Sequence, residues 1–282
     1  MLFPTTFALF LSSALVWAAP SPTVRDCGNT LTGAELREAK ASFAAHKAAL
    51  SEAQLKAAAG PIQVFWHVIS KDTTIPGGNI PDSQIAAQIT TLNAAYKNAS
   101  LTFQLAETDR TVDANWFDKA TLGSVEQTEM KAALRKGGVL DLNVYTVSFK
   151  NDPRNLLGYA TWPWDYAAKP QDDGVVIHYA SVPGGDLLPF NLGHTLTHEA
   201  GHWVGLLHTF EGGCEGEGDE VSDTPPEASS ASGCPTGRNT CTADKLDDPI
   251  HNFMDYSDDA CMTEFTSGQV ERLTAQIAAY RI

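Results

Sequence analysis

Positive charge is scarce in this chain: 19 lysines and arginines stand against 34 aspartates and glutamates, a formal net charge of −15 over 282 residues. That balance argues against nucleic acid and anionic membrane as partners, since both would repel it, and it favours solubility and the binding of hard cations. Long hydrophobic runs are missing once the first 18 residues are passed, so no later segment reads as a bilayer span. No internal repeat is present, which sets solenoids and arrays aside. Cysteine is sparse and uneven, with five in all and four of them (Cys214, Cys234, Cys241, Cys261) in one downstream region. A hydrophobic content of 43% is that of a globular protein, long enough for one substantial domain or one domain split by a cleft.

The one apolar run, Leu2 to Ala18, carries Val16 and Ala18 at the −3 and −1 places of a small-residue cleavage site, and Pro20 and Pro22 follow it. Residues 1–18 therefore read as a signal peptide and the mature protein as secreted and extracellular. In that oxidising setting the four clustered cysteines form two disulfides, with three pairings open, and Cys27 is left over. Asn98-Ala99-Ser100 is an acceptor for N-glycosylation.

Residues 31–59 are rich in Ala, Glu, Lys and Leu and read as helix, ended by Gly60-Pro61. Residues 19–60 read as a helical pro-segment or amino-terminal extension, ahead of a main domain over 61–282. In that domain 62–69 alternates as a strand, with Val64, Trp66 and Val68 on one face, and 81–97 has Ile85, Ile89, Leu92 and Tyr96 at helical spacing. Strands are expected at 101–106 and 140–147 with a short helix over 130–136 between them, and an aromatic loop at 162–170. A further strand at 175–179 is placed at a sheet edge lining the cleft, where an extended peptide could pair with it. A helix over 191–206 closes an upper lobe (61–205). The lower lobe (206–282) is dominated by Gly, Cys, Pro and acidic residues up to a last helix, 267–280, with Val270, Leu273 and Ile277 on one side.

The chemistry sits in His198-Glu199-Ala200-Gly201-His202-Trp203-Val204-Gly205-Leu206-Leu207-His208. On a helix His198 and His202 project from one face toward the same tetrahedral ion. Gly205 can take a backbone conformation that ends the helix and lets His208 return as a third ligand. Three protein ligands leave one position open, which separates catalytic from structural zinc. Zinc so held lowers the pKa of its water toward about 7 and polarises a carbonyl. Glu199 is placed to take that proton and pass it to the leaving amine. Downstream, Met254 followed two residues later by Tyr256 suits a tight turn beneath the metal, with the phenol hydrogen-bonding the oxyanion. His178 and His194 are expected near the metal without ligating it. The acidic run Glu211 to Asp223 reads either as a solvated loop or as a calcium site, with Asp219 and Thr224 the preferred ligands.

Taken together, Asn191-Leu192-Gly193, the eleven-residue motif with Thr209-Phe210, Gly218 to Pro225, Asn252 to Ser257 and Phe265 to Gln269 resemble the pappalysin family of metzincin zinc endopeptidases, most closely the secreted metalloproteases of fungi. The resemblance implies an α+β metzincin-type domain: an upper lobe of twisted mixed sheet with two long helices, a cleft, and a mostly irregular lower lobe with a carboxy-terminal helix. It implies zinc at His198, His202 and His208, Glu199 as base, Tyr256 at the transition state, Cys214 paired with Cys241 and Cys234 with Cys261, and calcium near Asp219. Asp26-Cys27-Gly28 resembles the cysteine that caps zinc in latent relatives, since a thiolate in the open position would exclude the catalytic water; the other reading is an unpaired or intermolecular cysteine. The expected partners are protein or peptide substrates of a monomer. A zinc amidase or aminopeptidase is the rival enzyme, and a non-catalytic secreted binding module needs a lost ligand or base, of which none is missing.

Overall fold

In the computed structural model residues 24–55, 60–243 and 245–282 are described; the segment read as a signal peptide, 1–18, lies outside them. The chain runs through α1 (Gly33–Ala49), α2 (Glu52–Leu55), β1 (Ile62–Ser70), α3 (Asp82–Tyr96), β2 (Phe103–Val112), α4 (Ala114–Lys119), α5 (Val125–Leu134), β3 (Leu142–Val147), β4 (Gly158–Ala160), β5 (Val175–His178), α6 (His194–Trp203) and α7 (Ser267–Tyr280). The five strands form one sheet in the order β2-β1-β3-β5-β4, parallel except for β4, which runs antiparallel to β5. It is a mixed sheet with helices on both faces.

That two-sided cover explains why β1 alternates only at its start and is then buried residue after residue. Val64, Trp66 and Val68 share a core with Ile85, Leu92 and Tyr96 of α3 and with Leu196, Ala200 and Trp203 of α6. Tyr145, Val147 and Val176 point the other way, against Phe117 of α4 and Met130 of α5. Two long helices therefore back one face, and the opposite face is closed by α4 and α5. Of these, α5 begins earlier than the pattern suggested. Its true start is marked by Ser124, whose side chain caps the Gln127 amide.

Two expectations are corrected. The strand at Val175–His178 is not an edge: β4 lies outside it, so the cleft is bordered by Gly158–Ala160. A three-residue strand containing glycine carries too short a pattern to be seen in the sequence. The helix expected over 31–59 is broken after Ala49, where Leu50 turns to extended backbone; residues 56–59 lie outside the described residues.

The catalytic-motif helix α6 is buried along its length and anchored at both ends. The Gln88 amide donates to the Gly193 carbonyl (2.8 Å) and the Tyr96 hydroxyl to the Thr197 carbonyl (2.9 Å), tying α6 to α3. At the far end Arg281 stacks on Trp203 (3.6 Å to the ring centroid), donates to its carbonyl (3.0 Å) and pairs with Asp173 (3.1 Å). A buried guanidinium is tolerated because each of its faces is met.

Candidate active site

Helix α6 stops where Gly205 adopts φ 90°, a left-handed conformation that costs other residues about 1–2 kcal/mol. A side chain there would also strike Gln276, 2.7 Å from the ideal Cβ position. The turn carries His208 back to the helix. The Nε2 atom of His202 lies 3.2 Å from that of His198 and 3.0 Å from that of His208, so three ring nitrogens converge on one point. The rings are aimed from behind: His198 Nδ1 donates to the Phe253 carbonyl (2.7 Å) and His202 Nδ1 to the Leu206 carbonyl (2.8 Å), which leaves each Nε2 as a lone pair. Burial holds all three imidazoles neutral, His202 near 4 and the others well below the ordinary value. Three neutral imidazoles, two of them back-bonded, with nitrogens converging on one point fit a tetrahedral divalent cation.

The carbonyl that orients His198 belongs to the turn at Asn252–Tyr256, and that turn is fixed by α7. Asn252 and Gln269 exchange amide hydrogen bonds (2.8 and 3.0 Å), and Asn252 Oδ1 also accepts from the Met254 amide (2.9 Å). Met254 packs directly beneath α6: a Cβ on Gly201 would come within 2.4 Å of its sulfur. Tyr256 follows, its hydroxyl 3.3 Å from His208 Nε2. Burial keeps that phenol protonated, well above its usual pKa.

The opening toward Glu199 is filled by the amino-terminal extension. Cys27 pairs with the free edge of β4: the Leu157 amide donates to the Asp26 carbonyl (2.9 Å) and the Gly28 amide to the Gly158 carbonyl (3.0 Å). The Cys27 amide donates to the Tyr256 hydroxyl (3.2 Å), and its sulfur lies 3.4 Å from Glu199 Oε2. Cys27 Sγ and ring nitrogens of the three histidines all fall within 4.8 Å of one another. Two residues back, Arg25 enters a closed pocket, where it pairs with Asp259 (2.6 Å), meets Thr195 Oγ1 (3.4 Å) and lies over the Phe190 ring (5.1 Å).

The chain as a whole matches known proteins. The family model described as pregnancy-associated plasma protein-A matches residues 141–278. An extracellular metalloprotease of Sordaria macrospora is 45% identical over 88% of this chain and 83% of its own. The chain belongs to the pappalysin family. It is a secreted metalloprotease, as the names of its fungal relatives and the peptidase model agree. Among solved structures, an alanine variant of Tannerella forsythia promirolysin superposes with a TM-score of 0.76 at 29% identity, over 91% of this chain and 95% of that one. Mature mirolysin in complex with a cleaved peptide gives 0.63 at 29%, over 79% and 97%.

In this pappalysin the other residues that the motifs pointed to distribute unevenly. His178 accepts from the Ala180 amide (3.1 Å) and stays outside the histidine cluster, and His194 sits beside the Arg25 pocket. Asp219 is buried, accepts from Thr224 Oγ1 (2.8 and 2.9 Å) and from the Val221 amide (3.1 Å), and gathers no cluster of acidic residues among the described residues. Disulfides join Cys214 to Cys241 and Cys234 to Cys261, with Cα atoms 5.4 and 5.5 Å apart. Asn98 is exposed after the last turn of α3. Arg25, Asp259 and Asn29, whose side chain bonds both the amide and the carbonyl of Ala160 (2.7 and 2.9 Å), carry no motif that singles them out in the sequence. Only the neighbourhood of Cys27 hints at Arg25 and Asn29.

Proposed function

We propose that this enzyme is a zinc endopeptidase made in a latent form and selective for bonds next to a basic residue. The observation that carries the reading is the convergence of three histidines on one point, two of them held from behind by backbone carbonyls, with Glu199 and Tyr256 at its open side. His198, His202 and His208 would hold the zinc, which supplies Lewis acidity and acidifies water. Glu199 takes a proton from the attacking water and delivers it to the departing amine. Burial already pushes its carboxyl up to about 8, so it holds a proton readily, and a neighbouring cation draws it back down. Tyr256, kept protonated, donates to the oxygen on which charge develops.

Latency is supported by the path of the extension. Cys27, Arg25 and the strand pairing at β4 together occupy the places a substrate needs. The promirolysin match spans 91% of this chain and the mature mirolysin match 79%, which supports removal of residues 19–60. Once Arg25 leaves, Asp259 is a carboxylate in a closed pocket, and a basic side chain of the substrate is the group that satisfies it. The proposal extends to a structural calcium at the loop of Asp219 and Thr224, since burial pushes the Asp219 carboxyl up to about 7 and a bound cation relieves that strain. Digesting an amino-terminally blocked protein and sequencing the new termini tests the reading. Internal cuts beside Arg or Lys support it, whereas release of terminal residues alone supports the aminopeptidase.

A further inference from the structure

Helix α1 lies beyond the cleft, on a face built from α7, the 162–165 loop and the 217–220 loop. Lys40 of α1 reaches Glu217 (3.3 Å) and Glu220, and Ser42 shares a hydrogen bond with the Tyr280 hydroxyl (2.8 Å). The Phe43 ring lies under the Arg272 guanidinium, 5.4 Å from its centroid. Arg272 is held independently of α1, because its Nε donates to the Gly205 carbonyl (3.1 Å). The face is continuous with the catalytic centre: Trp164 is edge-on to Tyr280 at 6.5 Å and stacks on Trp162 at 4.8 Å, and Trp162 abuts the His202 ring at 5.0 Å.

The present occupant uses this face poorly. Of the 17 residues of α1 only Ala39 is buried, and a cavity of about 380 Å³ remains between the helix and the two tryptophans. So thin an apolar contact leaves the ion pairs of Lys40 and the ring under Arg272 as the interactions that hold α1 in place. A face that served α1 alone would be filled by it. We propose that, after the extension is removed, this surface docks an amphipathic helix of a protein substrate bearing a basic residue three positions before an aromatic one, the pattern Lys40 and Phe43 present now. Glu217 and Glu220 receive the basic group, and Arg272 the aromatic ring. Substrates carrying such a helix are thereby held beside the cleft.

The inference rests on the reading that the extension leaves, and the test separates the two. The full chain is processed to its mature form and offered a short arginine-containing peptide, and the same peptide joined to residues 33–49. The helix should lower KM about tenfold with kcat unchanged. In Glu217→Gln and Glu220→Gln that advantage should shrink to under about threefold while the short peptide is turned over as before. Equal KM for both substrates in the unaltered enzyme overturns the docking surface. Should the short peptide itself resist cleavage, the peptidase reading has failed instead, and fluorescence anisotropy of the labelled 33–49 peptide decides the surface alone. Binding weakened by Glu220→Gln supports it; absence of binding overturns it.

Discussion

Arg25 and Asp259, 234 positions apart in sequence, form a closed ion pair of 2.6 Å whose partners expose 1% and 0% of their side chains. Asp259 Oδ2 also accepts from the Leu192 and His194 amides (2.8 and 3.3 Å), so the same carboxylate orders the entry to α6. Breaking such a pair from one side costs about 3–5 kcal/mol. The extension therefore carries its own buried anchor.

Asp259→Asn keeps an acceptor for the two amides and removes the charge. In the mature enzyme kcat/KM for arginine-containing peptides should fall about 10- to 100-fold, the worth of one charge-assisted hydrogen bond, with neutral peptides little affected. A uniform loss across all peptides would show that Asp259 only supports the fold.

Cys27→Ala in the unprocessed chain should raise peptidase activity at least about tenfold, because the thiol beside Glu199 and the three histidines no longer fills the open side. Adding Arg25→Ala should raise it further, since the anchor and the plug act on the same segment. No gain from either variant would contradict the proposed latent form.

Tyr256→Phe removes a hydroxyl without changing the turn that Asn252 and Gln269 hold. Stopped-time assays should show kcat lower by about 10²-fold and KM nearly unchanged, the pattern of a donor used mainly in the transition state. An unaltered kcat would reduce Tyr256 to a packing residue.

Legibility followed locality. The spacing of His198, His202 and His208 and the glycine at 205 are properties of one helix and one turn, so the sequence pattern carried them almost whole. The boundaries of α7 likewise follow from the Thr266–Gln269 capping box, which is written in adjacent residues. Helix α6 proved shorter than its pattern because Gly193, at φ 94°, starts it late and Asp259 holds the preceding turn. What stayed hidden depends on long-range pairing: β4 as the cleft edge, Arg25 in the Asp259 pocket, and Asn29 clamped to Ala160. Nothing local marks Asp259 apart from Asp258.

Burial raises the Asp219 carboxyl from 3.8 to about 7. A folded pKa above the unfolded one means a contribution fully present below about 3.8 and lost as pH rises through about 7, on the order of 4 kcal/mol. In chelator, Tm should therefore decline between pH 4 and 7, and Asp219→Asn should flatten that slope. Millimolar calcium at pH 7.5 should raise Tm of the unaltered protein and leave the variant unmoved. An equal calcium response in both would remove calcium from this loop.

Glu199→Gln gives the most direct test of the central claim, with zinc content read by atomic emission beside digestion of a blocked protein. Glutamine keeps the shape of the side chain and leaves the histidines untouched, so one zinc per chain should remain while proteolysis falls by about 10²- to 10⁴-fold. Full proteolytic activity in that variant, or activity that persists in the unaltered enzyme after zinc is stripped, would contradict it.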